Sequence, residues 1–408
     1  MATFLFCWEL GGGLGHSVPL AQIAGPLLAG GHAVHVALRD LSTADAAFGS
    51  LDAHPALRLW QAPVWSAVLR GLPESATYAE LLFRAGFLDA ERLLGPVRGW
   101  RSLIEQVRPD LLLVDHAPTA LLAARGLSLP TASIGTGFFQ PPAVAPIPSF
   151  REWDQVDPRR VAEAEAKAVE TINAVCLRLG APPVGALHQL VAVDEQFLLT
   201  WPEVDHYLPV RAGDTRARFH GPLAPTAQGA AADWPAGEGH RVFAYLKGDY
   251  RLLEAALLGL KTAPFRTLAY VPGLPPALAA RYASPRIRFS PAPVNMSAAC
   301  EQAGAVLCNA GSGTVCTVLR AGIPVVMLPM HAEQLLFARR VEQQEAGLLL
   351  VESEVRLKLA KTLRRLLEQP AYRESARRIA ARYGSDAGRD VAAEVAARCV
   401  ELATAARL

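Results

Sequence analysis

The chain has 408 residues, 51% of them hydrophobic and 19% charged, a balance that supplies ample apolar surface for a core and excludes a disordered chain. At roughly 100–200 residues per domain, this length predicts two domains, or three small ones. The formal net charge is +2 with Lys and Arg spread along the sequence, so the composition gives no electrostatic footprint for nucleic acid.

The six cysteines form no C-x-x-C pair and no zinc spacing, which predicts reduced core thiols in a cytosolic protein. The apolar segment Thr3–Trp8 has no basic region before it and runs directly into glycines. It therefore predicts a strand and not a signal peptide. Runs of 18 or more apolar residues are absent from the sequence, so we expect no membrane span and a cytoplasmic location.

Short β-like runs alternate with longer helix-like runs along the chain, the pattern of parallel sheets covered by crossover helices. Each half is therefore expected to form its own doubly wound α/β sheet. An apolar stripe over residues 161–180, closed by Gly180, predicts an amphipathic helix. The predicted strands are Phe4–Trp8, Ala33–Leu38, Leu57–Trp60, Leu111–Val114 and Thr131–Ile134, then Val242–Tyr245, Thr267–Tyr270, Ile287–Phe289, Ala305–Cys308 and Val325–Leu328.

A stretch of turn formers without any period separates the two halves. We place the domain boundary in this stretch. The predicted organisation is a first domain at residues 1–220, a linker at 221–235, a second domain at 236–385 and a helix at 386–408 that packs back towards the first domain.

A glycine-rich loop, Glu9–Pro19, follows the first predicted strand and contains His16. A hydroxyl is a weak nucleophile, and a neutral imidazole near its ordinary pKa can take the hydroxyl proton during attack. Asp115 ends another predicted parallel strand, so it is expected on the same rim as His16, where a carboxylate would orient the imidazole. Structural roles are the competing interpretations: a turn residue for His16, and a cap of the helix after Pro118 for Asp115.

A second small-residue loop lies between the strand Ala305–Cys308 and the following helical stretch. Backbone N–H groups and the helix dipole at such a turn can hold a phosphate or diphosphate, although any tight strand-to-helix turn favours glycine. After the next strand come a carboxylate and an amide, Glu333 and Gln334, suited to hydrogen bonds with sugar hydroxyls. The residues of the loop are Asn309, Ala310, Gly311, Ser312, Gly313 and Thr314.

The order of loop, strand and Glu-Gln pair from Asn309 to Gly347 resembles the donor-binding motif of family-1 glycosyltransferases. That motif is a His-Gly-Gly-x-Gly-Thr loop, a Gly-x-Pro turn, a strand, an Asp-Gln pair and a helix. The Gly-x-x-Gly-His-x-x-Pro loop that ends at Pro19 is similar to the first loop of such GT-B enzymes. The chain departs from the motif where Asn309 replaces the histidine and Glu333 replaces the aspartate.

The resemblance implies the GT-B fold, two Rossmann-like doubly wound parallel-sheet domains facing across a cleft. It implies a metal-independent, inverting transferase of natural-product type, with His16 as general base and Asp115 orienting it. The donor would be a UDP- or dTDP-linked sugar, with its diphosphate held by the loop 309–314, and the acceptor a small, aromatic or lipophilic molecule. More loosely, the resemblance places Gly248, Pro293 and Val294 at the donor.

The acceptor side is harder to predict. Aromatic residues in the first domain could wall an apolar pocket, and ordinary core packing explains them equally well. The predicted acceptor residues are Gly13, Trp65, Phe83, Phe138 and Phe139.

The sequence contains no Asp-x-Asp motif, so we expect no metal and no cofactor other than the nucleotide-sugar co-substrate. We also expect a monomer or homodimer without a nucleic-acid partner. Two alternatives stay open. One is an epimerase or hydrolase of nucleotide sugars on the same architecture. The other is a catalytically inactive homologue that serves as a sugar-binding or partner-activating subunit, which Asn309 and Asp249 keep open.

Overall fold

The structure of the chain is a computed structural model. It describes residues 1–211, 213–215, 217–223, 229–384 and 389–405. Parts of all four predicted segments lie outside the described residues: 212 and 216 of the first domain, 224–228 of the linker, 385 of the second domain, and 386–388 with 406–408 of the C-terminal helix.

The chain divides into two compact units. Unit 1 comprises Met1–Gly221 together with Asp390–Leu408, and unit 2 comprises Pro222–Arg389. Residues 229–235 of the predicted linker lie on unit 2, where Ala230 N donates to Pro293 O at 2.7 Å. The boundary between the units therefore lies at the beginning of the predicted linker.

Unit 1 contains a parallel sheet that has seven strands in the part of the chain described by the structure. These are β1 (Thr3–Trp8), β2 (Ala33–Leu38), β3 (Leu57–Gln61), β4 (Leu111–Asp115), β5 (Thr131–Gly135), β6 (Glu195–Leu198) and β7 (Ala217–Phe219). Their order is β3-β2-β1-β4-β5-β6-β7. The order reverses between β1 and β4, and ligands of open α/β sheets bind at the carboxyl ends of strands at such a point.

The helices of unit 1 cover this sheet. Leu5 and Cys7 of β1 belong to a core that also includes Trp100, Ala120 and Ile172, one from each of three successive helices. The last helix of the chain packs against the first, and Arg398 Nε bonds Glu195 Oε2 at 2.6 Å. The helices are α1 (Leu14–Ala29), α2 (Ala44–Phe48), α3 (Tyr78–Phe83), α4 (Ala90–Val107), α5 (Pro118–Ala124) and α6 (Pro158–Leu179), with the last helix at Val391–Ala405.

Unit 2 repeats the plan with a six-stranded parallel sheet among its described residues. Its strands are β8 (Arg241–Tyr245), β9 (Arg266–Tyr270), β10 (Ile287–Phe289), β11 (Ala305–Cys308), β12 (Val325–Met327) and β13 (Gly347–Leu349), in the order β10-β9-β8-β11-β12-β13. The order reverses between β8 and β11. Its helices are α7 (Leu253–Thr262), α8 (Pro276–Tyr282), α9 (Met296–Gln302), α10 (Ser312–Arg320), α11 (Ala332–Gln343), α12 (Glu352–Glu368) and α13 (Pro370–Arg382), which makes Val391–Ala405 α14.

The prediction of two doubly wound parallel sheets is confirmed, and the ten predicted strands are present with ends shifted by at most one residue. Three strands were not predicted: β6, β7 and β13. In β6 the residues Glu195 and Gln196 are polar yet buried, so the strand lacks an apolar run. The other two are only three residues long, too short to show a period.

All six cysteines are free and buried, which agrees with the prediction of core thiols. Across the described residues, none of the helices combines the length and apolar character needed to cross a membrane.

Candidate active site

A histidine and an aspartate form a buried pair at the reversal point of the unit 1 sheet. Trp8, the last residue of β1, lies beside Asp115, the last residue of β4. The glycine loop after β1 then leads into α1, whose third residue is His16. The Nδ1 atom of His16 lies 3.0 Å from Oδ2 of Asp115, and both side chains are buried. The structure thus brings together the two residues that the sequence predicts as base and orienting carboxylate.

The imidazole of His16 is held between aromatic rings and a glycine. The indole of Trp8 stacks on it at a centroid distance of 5.3 Å, and the ring of Phe139 lies 5.0 Å away. Gly11 has a φ of 89°, and a Cβ at that residue would overlap Nε2 of His16. The loop therefore requires glycine at position 11 both for its backbone angle and for the space that the imidazole occupies.

Asp115 does not cap the following helix. The residue at the N-terminus of α5 is Ala117, which makes no side-chain capping bond. Instead, the carboxylate of Glu9 accepts hydrogen bonds from the backbone N–H of Thr119 at 2.9 Å and from its hydroxyl. The competing interpretation of Asp115 as a helix cap is therefore not supported, because Glu9 serves that end of α5.

Glu9 and Leu10 together link the loops that carry the histidine and the aspartate. Glu9 bonds Thr119 through its side chain, and its backbone O accepts from Arg39 Nη1 at 2.7 Å. The next residue, Leu10, donates its N–H to His116 O at 3.0 Å. Burial raises the pKa of Glu9 to about 7, against the lowering effect of its hydrogen bonds from Thr119. A carboxyl that titrates near neutral pH thus stands directly behind the loop of His16.

A small cavity, with mostly apolar walls and a few polar side chains, lies next to the pair. Its walls include Tyr78, His116, Ser133, Phe139 and Gln140. Both ring nitrogens of His116, the hydroxyl of Ser133 and Oε1 of Gln140 are buried without a hydrogen-bond partner among the described residues. Burial lowers the pKa of His116 to about 3, so its imidazole is neutral at physiological pH.

The predicted acceptor residues divide into two groups. Phe139 contacts His16, and Phe138 packs edge-on against Phe139 at 5.5 Å. Gly13 is the N-terminal cap residue of α1, with a φ of 77°. By contrast, Trp65 packs against Gly86 and Phe83 packs against the hydrophobic core. The contacts of the first three residues therefore relate them to the His16 loop, whereas those of the other two do not.

In unit 2, the predicted diphosphate loop follows β11 and leads into α10. Gly311 is the N-terminal cap residue, and α10 has no side-chain cap there. A Cβ added at Gly311 or Gly313 would meet no atom within 4 Å, so the space in front of both residues is open. Uncapped N–H groups at the start of a helix, beside open space, can bind an anion.

Asn309 serves the backbone with both ends of its amide. Its Oδ1 accepts from Lys247 N at 2.8 Å, and its Nδ2 donates to Leu328 O at 2.9 Å. The side chain thereby links the loops after β8, β11 and β12 across the reversal point of the sheet. Asn309, predicted to bind the donor, therefore acts on the loop as a clamp between backbone segments.

The unusual backbone angle of the loop belongs to Ala310, with a φ of 59°. Gly311 has a φ of −63°, which any residue adopts. Glycine at 311 therefore matters for open space, and the strained position, which glycine usually fills, is 310 in this chain.

The other predicted donor residues lie at the carboxyl edge of the same sheet, Glu333 and Gln334 in the first turn of α11 and the rest in loops. Gln334 turns back, because its Oε1 accepts from Met330 N at 2.8 Å, while Glu333 is half-buried in the first turn of α11. The carbonyl of Pro293 pairs with Ala230, and Val294 is buried. Gly248 follows β8, where the carbonyl of Pro272 leaves no room for a Cβ.

Sequence reasoning missed four residues near the buried pair: Glu9, His116, Ser133 and Gln140. Glu9 and His116 stand next to recognised positions, an acid after β1 and a histidine after Asp115, which is a signal that could have drawn attention to them. Ser133 and Gln140 carry no sequence signal, because only burial without a partner distinguishes them. Among the described residues, no cluster of three or more His, Cys, Asp or Glu side chains is arranged to hold a metal ion.

Two doubly wound parallel sheets, one with a His–Asp pair and one with an open helix N-terminus at their reversal points, define the GT-B fold class. Residues 283–402 match the family described as erythromycin biosynthesis protein CIII-like, C-terminal domain. A PGL/p-HBAD biosynthesis glycosyltransferase of Mycobacterium tuberculosis strain H37Ra is 25% identical over 325 residues, which cover 74% of this chain and 73% of the relative.

Solved structures agree on the fold over nearly the whole chain. The glycotransferase of kitacinnamycin superposes with a TM-score of 0.71 at 20% identity, covering 98% of this chain and 99% of that one. The calicheamicin glycosyltransferase CalG4 has a TM-score of 0.71 at 18% identity, with 98% of both chains covered. SnogD from Streptomyces nogalater has a TM-score of 0.63 at 22% identity, covering 98% and 99%. The chain therefore has the GT-B fold, and its fold and sequence are similar to those of glycosyltransferases.

Proposed function

We propose that the chain is an inverting transferase that moves a sugar from a nucleoside diphosphate sugar to a hydroxyl of a small acceptor. The observation that carries this proposal is the buried pair of His16 and Asp115 at 3.0 Å. If Nδ1–H of His16 donates to the carboxylate of Asp115, Nε2 is left free to accept a proton, and the carboxylate supports the imidazolium that forms. The pair is thereby equipped as a general base.

In the proposed step, Nε2 of His16 takes the proton of the acceptor hydroxyl. The acceptor oxygen forms a bond to the anomeric carbon, and the bond from that carbon to the diphosphate breaks, with the electron pair leaving on the diphosphate. The N–H groups at the start of α10 would stabilise the departing charge. Attack opposite the leaving group inverts the anomeric centre.

Thymidine diphosphate is the nucleotide to try first. The spinosyn rhamnosyltransferase SpnG, SsfS6 and VinC, all similar in fold, have been crystallised with thymidine diphosphate. Unit 2 offers the elements that a diphosphate requires, an uncapped helix N-terminus with open space in front of its glycines. Uridine diphosphate remains the second choice to be tested beside it.

The test is the release of nucleoside diphosphate from dTDP- and UDP-sugars in the presence of small hydroxyl acceptors. His16→Ala should lower turnover by roughly 10²–10⁴ and leave thymidine diphosphate affinity and thermal stability unchanged. The matched control is His35→Ala, which removes a histidine bonded to Trp60 Nε1 at 3.1 Å and should not slow turnover. Equal turnover in wild type and His16→Ala contradicts the base, and a folded wild type that binds neither nucleotide at millimolar concentration contradicts the whole proposal.

A further inference from the structure

The polar side chains in the cavity beside Asp115 have more hydrogen-bonding capacity than the described residues use. His116, Ser133 and Gln140 are each more than nine-tenths buried. The amide nitrogen of Gln140 donates to Phe197 O at 3.2 Å, which leaves its Oε1 without a partner among the described residues. Buried polar atoms are nearly always paired, so this cluster is suited to a bound group that completes it.

The chemistry of the walls selects the kind of group. A neutral imidazole offers one donor and one acceptor, the hydroxyl of Ser133 offers both, and Oε1 of Gln140 only accepts. The described residues that line the cavity include no Asp, Glu, Lys or Arg. A carboxylate would therefore be desolvated without a counter-charge and beside the buried side chain of Asp115, whereas an uncharged hydroxyl could both donate and accept.

The place of the cavity relates it to the proposed reaction. One phenyl ring, that of Phe139, lies 5.0 Å from the imidazole of His16 and 4.6 Å from that of His116. His116 follows Asp115 directly, and its φ of 45° turns the chain at this point. A flat molecule that packs on the ring of Phe139 can therefore contact both histidines.

We propose that the cavity is a subsite for a second, uncharged hydroxyl of the acceptor, so that the preferred acceptor is a diol on a flat scaffold. This inference rests on the proposed function, because that function supplies the acceptor. The reacting hydroxyl lies at His16, and the second hydroxyl bonds His116, Ser133 and Gln140. A carboxylate substituent at that position is rejected.

The probes are 2,6-dihydroxynaphthalene and 2-naphthol, which differ by one hydroxyl, and their dissociation constants are measured on the full chain without any sugar donor. Wild type should bind the diol roughly fivefold to tenfold more tightly, as one or two net hydrogen bonds provide. Ser133→Ala should lower this ratio, and His116→Phe should abolish it. Thr200→Val is the matched control, since it removes another buried, unpartnered hydroxyl that does not line the cavity, and it should leave the ratio unchanged.

Three outcomes overturn the inference: equal affinity of wild type for both probes, no binding of the diol at millimolar concentration, or an equal effect of Thr200→Val and Ser133→Ala. The mild Ser133→Ala variant keeps the test decisive even where His116→Phe fails to fold at its left-handed backbone angle. Nucleotide release is measured separately. A diol preference that depends on Ser133, without any release from dTDP- or UDP-sugars, leaves the subsite standing and refutes the transferase proposal.

Discussion

Asn309 is expected to stabilise unit 2 rather than to bind the donor directly. Asn309→Ala removes the bonds to Lys247 N and Leu328 O, of 2.8 and 2.9 Å, from a side chain that is 5% exposed. Two lost hydrogen bonds, with partners left unpaired, cost roughly 2–4 kcal/mol of unfolding free energy. For a unit of this size, the midpoint of thermal unfolding should fall by roughly 5–10 °C.

The assay combines scanning calorimetry with titration of thymidine diphosphate well below the unfolding transition. The amide of Asn309 bonds the backbone and not the ligand, so the affinity for thymidine diphosphate should fall by less than about threefold. Asn173→Ala is the matched control in unit 1, where Asn173 makes the same pair of bonds to the backbone of Val184, at 2.9 and 2.7 Å. It should destabilise unit 1 and leave nucleotide affinity unchanged.

The opposite pattern would refute this reasoning. If Asn309→Ala lowers nucleotide affinity more than about tenfold while the unfolding midpoint stays at the wild-type value, the amide is a ligand group and not a clamp. That factor corresponds to about 1.4 kcal/mol of binding free energy.

Asp115→Asn should slow nucleotide release by a smaller, pH-dependent factor than His16→Ala. The double variant should be no slower than His16→Ala, because the two residues act as a unit. Full multiplication of the two losses would show that they do not. Glu9 has its pKa raised by burial from 4.5 to about 7, so its contribution to stability is complete below pH 4.5 and is lost as pH rises through 7. Urea unfolding from pH 5 to 8 should show a decline of up to about 3 kcal/mol in wild type that Glu9→Gln flattens, and parallel curves would contradict the assignment. Ala310→Gly should change the unfolding free energy by less than about 1 kcal/mol, because the relief of backbone strain at a φ of 59° offsets the lost burial and the added chain entropy of the unfolded state. Ala310→Val should lower the unfolding free energy by about 2 kcal/mol or more. Equal thermal midpoints for the two variants would exclude strain at this residue.

The sequence by itself determined the two parallel sheets and the rim on which the functional groups lie. Alternating apolar runs and helical stripes predict crossover units, and the carboxyl ends of parallel strands share one edge. Asp115 and the loop before His16 were therefore expected on the same edge from their positions after strands. The strands it missed, such as β6 with its buried Glu195, owe their burial to partners far along the chain, here Arg398.

Only the tertiary structure decided which polar atoms meet. The register that sets Trp8 beside Asp115 brings the imidazole of His16 to 3.0 Å from its carboxylate. The same packing turns the amide of Asn309 to the backbone and leaves the ring nitrogens of His116 without a hydrogen-bond partner among the described residues. The physical reason is that a period along the chain reports which face of an element is buried, whereas hydrogen-bond partners depend on side-chain directions and on residues tens to hundreds of positions away.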